Sequence, residues 1–174
     1  TSSAAVAFYA LGAGTVRIQE GTIATVGLAS EDAFISFTVP EGTIASFDAR
    51  RLSGSVDDCR IVVERGGRRA ELTLEPDGVV IAFAPERGGG WRRWLSRRPQ
   101  PADRVPAKGS DWQRWELAIH RRHIDATLGG RFVAKLEVGA GGPVEVSLGI
   151  WGQSRADSEA AWRVLGLRSI RVVK

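Results

Sequence analysis

Carboxylates two residues apart on an extended chain point the same way, and Glu71-Leu72-Thr73-Leu74-Glu75 puts two of them on one face of a strand. That is how a glycoside hydrolase aims a nucleophile and a general acid at one sugar. The pair sits beside a hairpin with no further acid in register, so a solvated outer face is expected. Glu31-Asp32 and Asp57-Asp58 are adjacent, diverge if extended, and read as turn residues. His120 and His123 flank Arg121-Arg122 with no third ligand evident nearby, so an exposed hairpin is expected and not a zinc site. The single cysteine, Cys59, excludes an internal disulfide. It alternates with Ile61 and Val63, as a small buried residue would, and is not read as a nucleophile. Arg87-Gly88-Gly89-Gly90 has the glycines of a phosphate loop but lacks the Lys-Ser/Thr pair and the following helix. Asp103, Asp111 and Asp157 could offer oxygen ligands to calcium, but their spacing does not single them out. No catalytic residue, metal ligand or cofactor is assigned.

One stretch does suggest contact chemistry. Trp91, Arg92, Arg93, Trp94, Arg97 and Arg98 interleave indoles with guanidinium groups, bracketed by glycines and prolines, inside a Trp/Arg-rich inserted loop at about 86–110. Such groups suit sugars, anionic headgroups, nucleic-acid backbones or a protein surface. Trp112, and Trp151 at the end of a strand, could border the same surface.

The 174 residues suffice for one domain with a core that needs no staples. A chain 43% hydrophobic and 25% charged is not a disordered one. Arginine supplies 21 of the 24 basic residues, and the formal net charge is +4. The charge is uneven: −4 over residues 1–58, +6 over 59–131 and +2 over 132–174. The basic field is therefore local, which argues against nucleic acid as the partner. No apolar run is long enough to span a bilayer as a helix. The chain lacks methionine, and its start reads as that of a processed or excised product. Within residues 1–14, Ala4 to Leu11 fits a remnant following a signal or anchor, or a first strand; the strand is preferred.

Alternation at period two positions these groups. Ala33, Ile35, Phe37 and Val39 share a face, as do Cys59, Ile61 and Val63, and Ala70, Leu72 and Leu74. Later come Trp115, Leu117 and Ile119; Phe132, Ala134, Leu136 and Val138; and Val144, Val146, Leu148 and Ile150. Gly66-Gly67 and Gly129-Gly130 mark two-residue hairpins, Pro76-Asp77-Gly78 a turn, and Arg121-Arg122 a further hairpin tip. Helical spacing is convincing nowhere, and Ser154 to Trp162, barely two turns long, reads as a short connecting helix or turn. About a dozen short strands joined by tight turns predict an all-β, antiparallel two-sheet sandwich over residues 1–174.

The order of elements in the second half resembles a known fold family. A tryptophan-led strand, Trp112 to Ile119, is followed by Ile124 to Leu128, the glycine-started Gly129 to Leu136, Gly142 to Ile150, and a closing Leu167-Arg168-Ser169-Ile170-Arg171-Val172-Val173. This is similar to the concanavalin A-like jelly roll, in its laminin-G-like and keto-disaccharide-hydrolase-like bacterial forms. Thr15 to Ile23 and Asp32 to Val39 resemble the opening hairpin and the next strand. The resemblance implies a fold that hosts hydrolases, lectins and adhesion modules alike. With no catalytic constellation, the expectation is a non-catalytic docking module, an accessory part of a membrane-associated bacterial assembly outside the cytoplasm. It would contact a protein or membrane surface through the Trp/Arg loop. A lectin-like carbohydrate-binding module is the alternative, and a glycoside-active hydrolase the second.

Overall fold

Period-two alternation can be satisfied only if each strand lends its apolar face to a shared interior, and the computed structural model has that arrangement. It describes residues 3–4, 6–27, 32–53, 59–75, 78–83, 104–106, 112–150 and 163–174. The strands are β1 (Ser3–Ala4), β2 (Tyr9–Leu11), β3 (Thr15–Gln19), β4 (Thr22–Gly27), β5 (Ala33–Val39) and β6 (Ile44–Ser53). They continue as β7 (Cys59–Arg65), β8 (Arg68–Glu75), β9 (Gly78–Phe83), β10 (Arg104–Pro106) and β11 (Gln113–Ile119). The last four are β12 (Ile124–Leu128), β13 (Arg131–Leu136), β14 (Val144–Ile150) and β15 (Arg163–Val173). Twelve are full strands, as expected; β1, β2 and β10 add pieces of two or three residues.

Two antiparallel sheets result. One runs β13-β12-β11-β6-β15-β4-β3, with β1 pairing on β15; the other runs β10-β9-β8-β7-β14-β5-β2. Late strands are inserted between early ones: β15 lies between β6 and β4, and β14 between β7 and β5. Neither sheet can therefore form from one half of the chain. The apolar opening is strand, as preferred, but split: β1 pairs in one sheet and β2 in the other. The insertion is not loop throughout, because its 104–106 segment pairs with β9 as β10. The short connecting helix or turn expected at Ser154 to Trp162 lies outside the described residues.

The inner faces match the alternation. Ile35, Phe37, Ile61, Leu72 and Leu148 face Phe47, Trp115, Leu117, Ile124 and Leu136 across the interior, all under 2% exposed. Each such side chain contributes about 1.5–3 kcal/mol on leaving water. Cys59 is buried there, as its parity predicted. Phe132 is an exception: it is exposed, because the ladder between β12 and β13 shifts register between Ala126 and Thr127. That irregularity turns Phe132 outward and puts Val133 inside.

One buried cation ties the end of the sandwich together. Arg65, 3% exposed, donates from Nε to the carbonyls of Val138 and Gly139 (both 3.1 Å) and from Nη1 to that of His120 (2.8 Å). Gly139 allows this approach: at φ 63° it occupies the left-handed region, and a Cβ there would meet the Arg65 carbonyl oxygen at 2.6 Å. The Gly141 amide donates to the Arg121 carbonyl at 2.7 Å, so the β11–β12 tip is held from two sides.

Arg65→Ala should leave three carbonyls without this donor, at a cost of about 3 kcal/mol. For a chain of this size that corresponds to a Tm lower by roughly 6–12 °C in calorimetry. A fall of under about 2 °C would show that the carbonyls find other donors.

Candidate functional site

The outward face of the seven-stranded sheet carries a cross-strand array of polar and charged side chains. The strand parity that sends Ile61, Leu72 and Leu148 inward sends Arg60, Val62 and Glu64, then Arg69, Glu71 and Thr73, then Glu145 and Ser147, outward. Register lines them up across the sheet. Tyr9, Ser36, Ser147, Val62 and Glu71 form one row. Thr38, Glu145, Glu64 and Arg69 form the next.

Part of this face is withdrawn from water, with Ser36 0% exposed, Val62 4% and Glu71 3%, while Tyr9, Thr38, Glu64 and Glu145 are exposed. The expectation that Glu71 belongs to a solvated outer face is therefore wrong. Its strand is interior to the sheet, and two arginines close over its carboxylate: Arg60 Nη1 at 3.1 Å from Oε2 and Arg69 Nη2 at 2.8 Å from Oε1. With both oxygens engaged, Glu71 is poorly placed to attack a sugar or pass it a proton. Its partner in the suspected pair, Glu75, has its side chain outside the described residues.

At the other side of the face, the Tyr9 hydroxyl donates a hydrogen bond to Glu145 Oε1, and the Ser36 and Ser147 hydroxyls bond each other. The bond to Glu145 raises the Tyr9 phenol above its ordinary value; burial and repulsion from the same carboxylate add to this, and Ser36 works against it. Glu145 and Glu64 stand directly opposite each other on adjacent strands. Like charges so placed repel, an arrangement that packing alone would not favour. Gly149 keeps β14 close to β5, since a Cβ there would meet the Cα and Cβ of Phe34 at 2.5 Å.

Of the residues singled out in the sequence, Trp91, Arg92, Arg93, Trp94, Arg97, Arg98 and Trp151 lie outside the described residues, as do Asp103, Asp111 and Asp157. Trp112 is described, half-buried, with the Arg168 guanidinium 4.3 Å from its ring centroid. Arg168 also reaches Asp48 at 3.2 Å, and Arg114 stands 3.6 Å from the same carboxylate. These groups belong to the eight-stranded sheet, away from the Glu71 face. Trp115, expected in the core, is fully buried. The histidine reading needs correction: a third ligand does lie close by, because Asp125 approaches both rings.

Tyr9, Ser36, Arg60, Glu64, Arg69, Glu145 and Ser147 were not singled out from the sequence. Parity would have put most of them on outward faces. Nothing in a linear chain says that β14 lies between β5 and β7.

No family model and no curated protein matches the chain. Solved structures do match in fold. A Crh5 transglycosylase in complex with NAG superposes with a TM-score of 0.69 at 12% identity, over 96% of this chain and 83% of that one. An alginate lyase of polysaccharide lyase family 7 gives 0.65 at 9% identity, over 91% and 81%. A pseudo β-1,3-glucanase of Mycobacterium tuberculosis gives 0.58 at 11% identity, over 88% and 75%. The fold is the concanavalin A-like jelly roll that the element order resembled.

Two measurements probe this face. Tyr9 is the only tyrosine, so its ionisation is readable by ultraviolet absorbance. The native protein should titrate above the urea-unfolded chain, whose phenol ionises near 10, and Glu145→Ala should bring the two together. Because the folded value is the raised one, the bond stabilises fully below about pH 10 and is lost as pH climbs through the folded value. Coincident native and unfolded titrations would rule the bond out. Glu71→Ala should remove two ion pairs from a buried position and lower urea-measured stability by about 3–5 kcal/mol; a change within about 0.5 kcal/mol, the scatter of ordinary surface substitutions, would show the pairs to be inconsequential.

Proposed function

We propose that the protein is a carbohydrate-binding module that receives an extended saccharide on the outward face of the seven-stranded sheet. The observation that carries this reading is the cross-strand array that runs from Tyr9 through Glu145 and Glu64 to Arg69 and Thr73, beside the pinned Glu71. Sugar hydroxyls both donate and accept. Arginine offers a rigid fork of donors, ionised glutamate only acceptors, and threonine and tyrosine hydroxyls both. An array that alternates these types can satisfy a run of diols, and its internal ion pairs fix it in place before any ligand arrives. Tyr9, 46% exposed, offers a ring face on which a pyranose can lie. Fold neighbours named as a transglycosylase with a bound sugar and as an alginate lyase support the choice of ligand class.

The docking reading rests on the Trp/Arg loop and has no comparable support, so the lectin-like alternative is preferred. A place outside the cytoplasm, where polysaccharides are met, accords with it. A glycan-active reading has one observation in its favour, the opposed Glu64 and Glu145. Retaining glycosidases hold their carboxyl groups about 5–5.5 Å apart. Glu145, however, is already bonded to Tyr9, and we read the protein as a binder.

Screening against a glycan array and a panel of polysaccharides should reveal at least one ligand bound at millimolar concentration or better. Tyr9→Ala and Glu64→Gln, both at exposed positions, should each weaken it about tenfold or more, the worth of one charge-assisted contact. No binding across the panel, or binding untouched by both substitutions, would overturn the assignment. Release of reducing ends that disappears in Glu64→Gln would make it a hydrolase instead.

A further inference from the structure

The β11–β12 hairpin ends in His120-Arg121-Arg122-His123, closed by a hydrogen bond from the His120 amide to the His123 carbonyl at 2.9 Å. Ile119 pairs with Ile124 and both are buried, so the next positions on each strand, His120 and His123, face outward together. Asp125 lies two residues beyond His123 and shares that face. Its cross-strand neighbour, Ala118, is small and leaves the diagonal from His120 open.

The side chains converge. His120 Nε2 lies 3.2 Å from one Asp125 oxygen, and His123 Nε2 lies 3.5 Å from the other. The rings stack with centroids 4.6 Å apart and planes at 28°. One ligand atom from each of the three groups lies within 4.8 Å of the others. With metal–ligand bonds of about 2.0–2.1 Å, the edge of a tetrahedral zinc site is about 3.3 Å. The two nitrogen–oxygen separations, each to a different Asp125 oxygen, are close to that edge, and rotation of the rings and the carboxylate would bring one atom of each group onto a single ion.

We infer that His120, His123 and Asp125 form a binding site for a divalent first-row transition metal, Zn2+ foremost, with three protein ligands and an open fourth position. Two neutral imidazoles and one carboxylate suit Zn2+, Cu2+ or Ni2+; calcium and magnesium prefer all-oxygen shells. The site is preorganised, because the His120 carbonyl is held by buried Arg65 and the Arg121 carbonyl by Gly141. Partial exposure, 48% for the His120 side chain, 25% for His123 and 33% for Asp125, leaves a path for the ion and for a solvent ligand. Nearby cations do not close it. Arg121, Arg122 and Lys135, the last opposite Asp125 on β13, are all exposed and screened by water and salt. The hairpin lies at the far end of β11 from Trp112 and in the other sheet from the Glu71 face, so the inference is independent of the saccharide reading.

The test is calorimetric titration of the chelator-treated full chain with Zn2+ alone, followed by imidazole resonances in the magnetic resonance spectrum. The chain has only two histidines, so every imidazole signal belongs to the site. One Zn2+ per chain should bind, both rings should shift together and saturate at one equivalent, and excess Ca2+ should not compete. His120→Ala, His123→Ala and Asp125→Asn should each weaken binding by more than the roughly 10–100-fold that loss of an outer-shell partner costs. Circular dichroism of each variant should stay native, since all three side chains lie outside the core. Absence of heat and shifts at tenfold excess Zn2+ would overturn the inference, as would unchanged binding in folded His123→Ala and Asp125→Asn.

Discussion

The structure depends on the dry seam between its two sheets. Trp115, Phe37 and Phe47 lie at less than 2% exposure within a layer of valine, leucine, isoleucine and alanine supplied by both inner faces. A sheet that hides one face in this way must present the other outward, and a two-residue period leaves each strand no third option. The polar groups of the Glu71 face and of the His120–His123 hairpin are outward because an apolar neighbour in each strand is inward, whereas Arg65 has the inward parity and is buried. Where the ladder shifts, between β12 and β13, the parity shifts too and Phe132 is exposed.

On this frame the arginine excess resolves into distinct uses. Arg65 spends its donors on backbone carbonyls and clamps one end of the sandwich. Arg60 and Arg69 neutralise a carboxylate that would otherwise be buried alone. Arg168 bridges Trp112 and Asp48 on the opposite sheet. Planar, permanently charged forks suit all three tasks, and a lysine ammonium would serve none as well. The basic balance of the chain thus includes structural chemistry as well as any charge offered to a partner.

Most of the strands and hairpins were legible in the sequence. The Gly66-Gly67 and Gly129-Gly130 turns carry positive φ, and the tip at Arg121-Arg122 follows from the parity change between Ile119 and Ile124. The site was less legible, for a physical reason. Glu71 looked solvated because its own strand alternates cleanly, and what buries it comes partly from β7, the neighbouring strand. His120 and His123 read as a bare surface pair in the linear chain, and strand parity together with the β11–β12 pairing puts Asp125 on their side as a third member.

Local chemistry in the sequence determined the alternation, the turns, the inward set from Ala33 to Ile150 and the absence of an internal disulfide. These depend on residues close together in the chain, where sterics and burial act without knowledge of the rest. The tertiary structure alone decided that β14 enters between β5 and β7 and β15 between β4 and β6. That interleaving brings Glu145 opposite Glu64 and Tyr9 to Glu145 across 136 positions, and the packing of one sheet on the other brings Arg65 to His120 across 55. Such contacts depend on which strand edges meet, and that choice is made by the packing of the whole core.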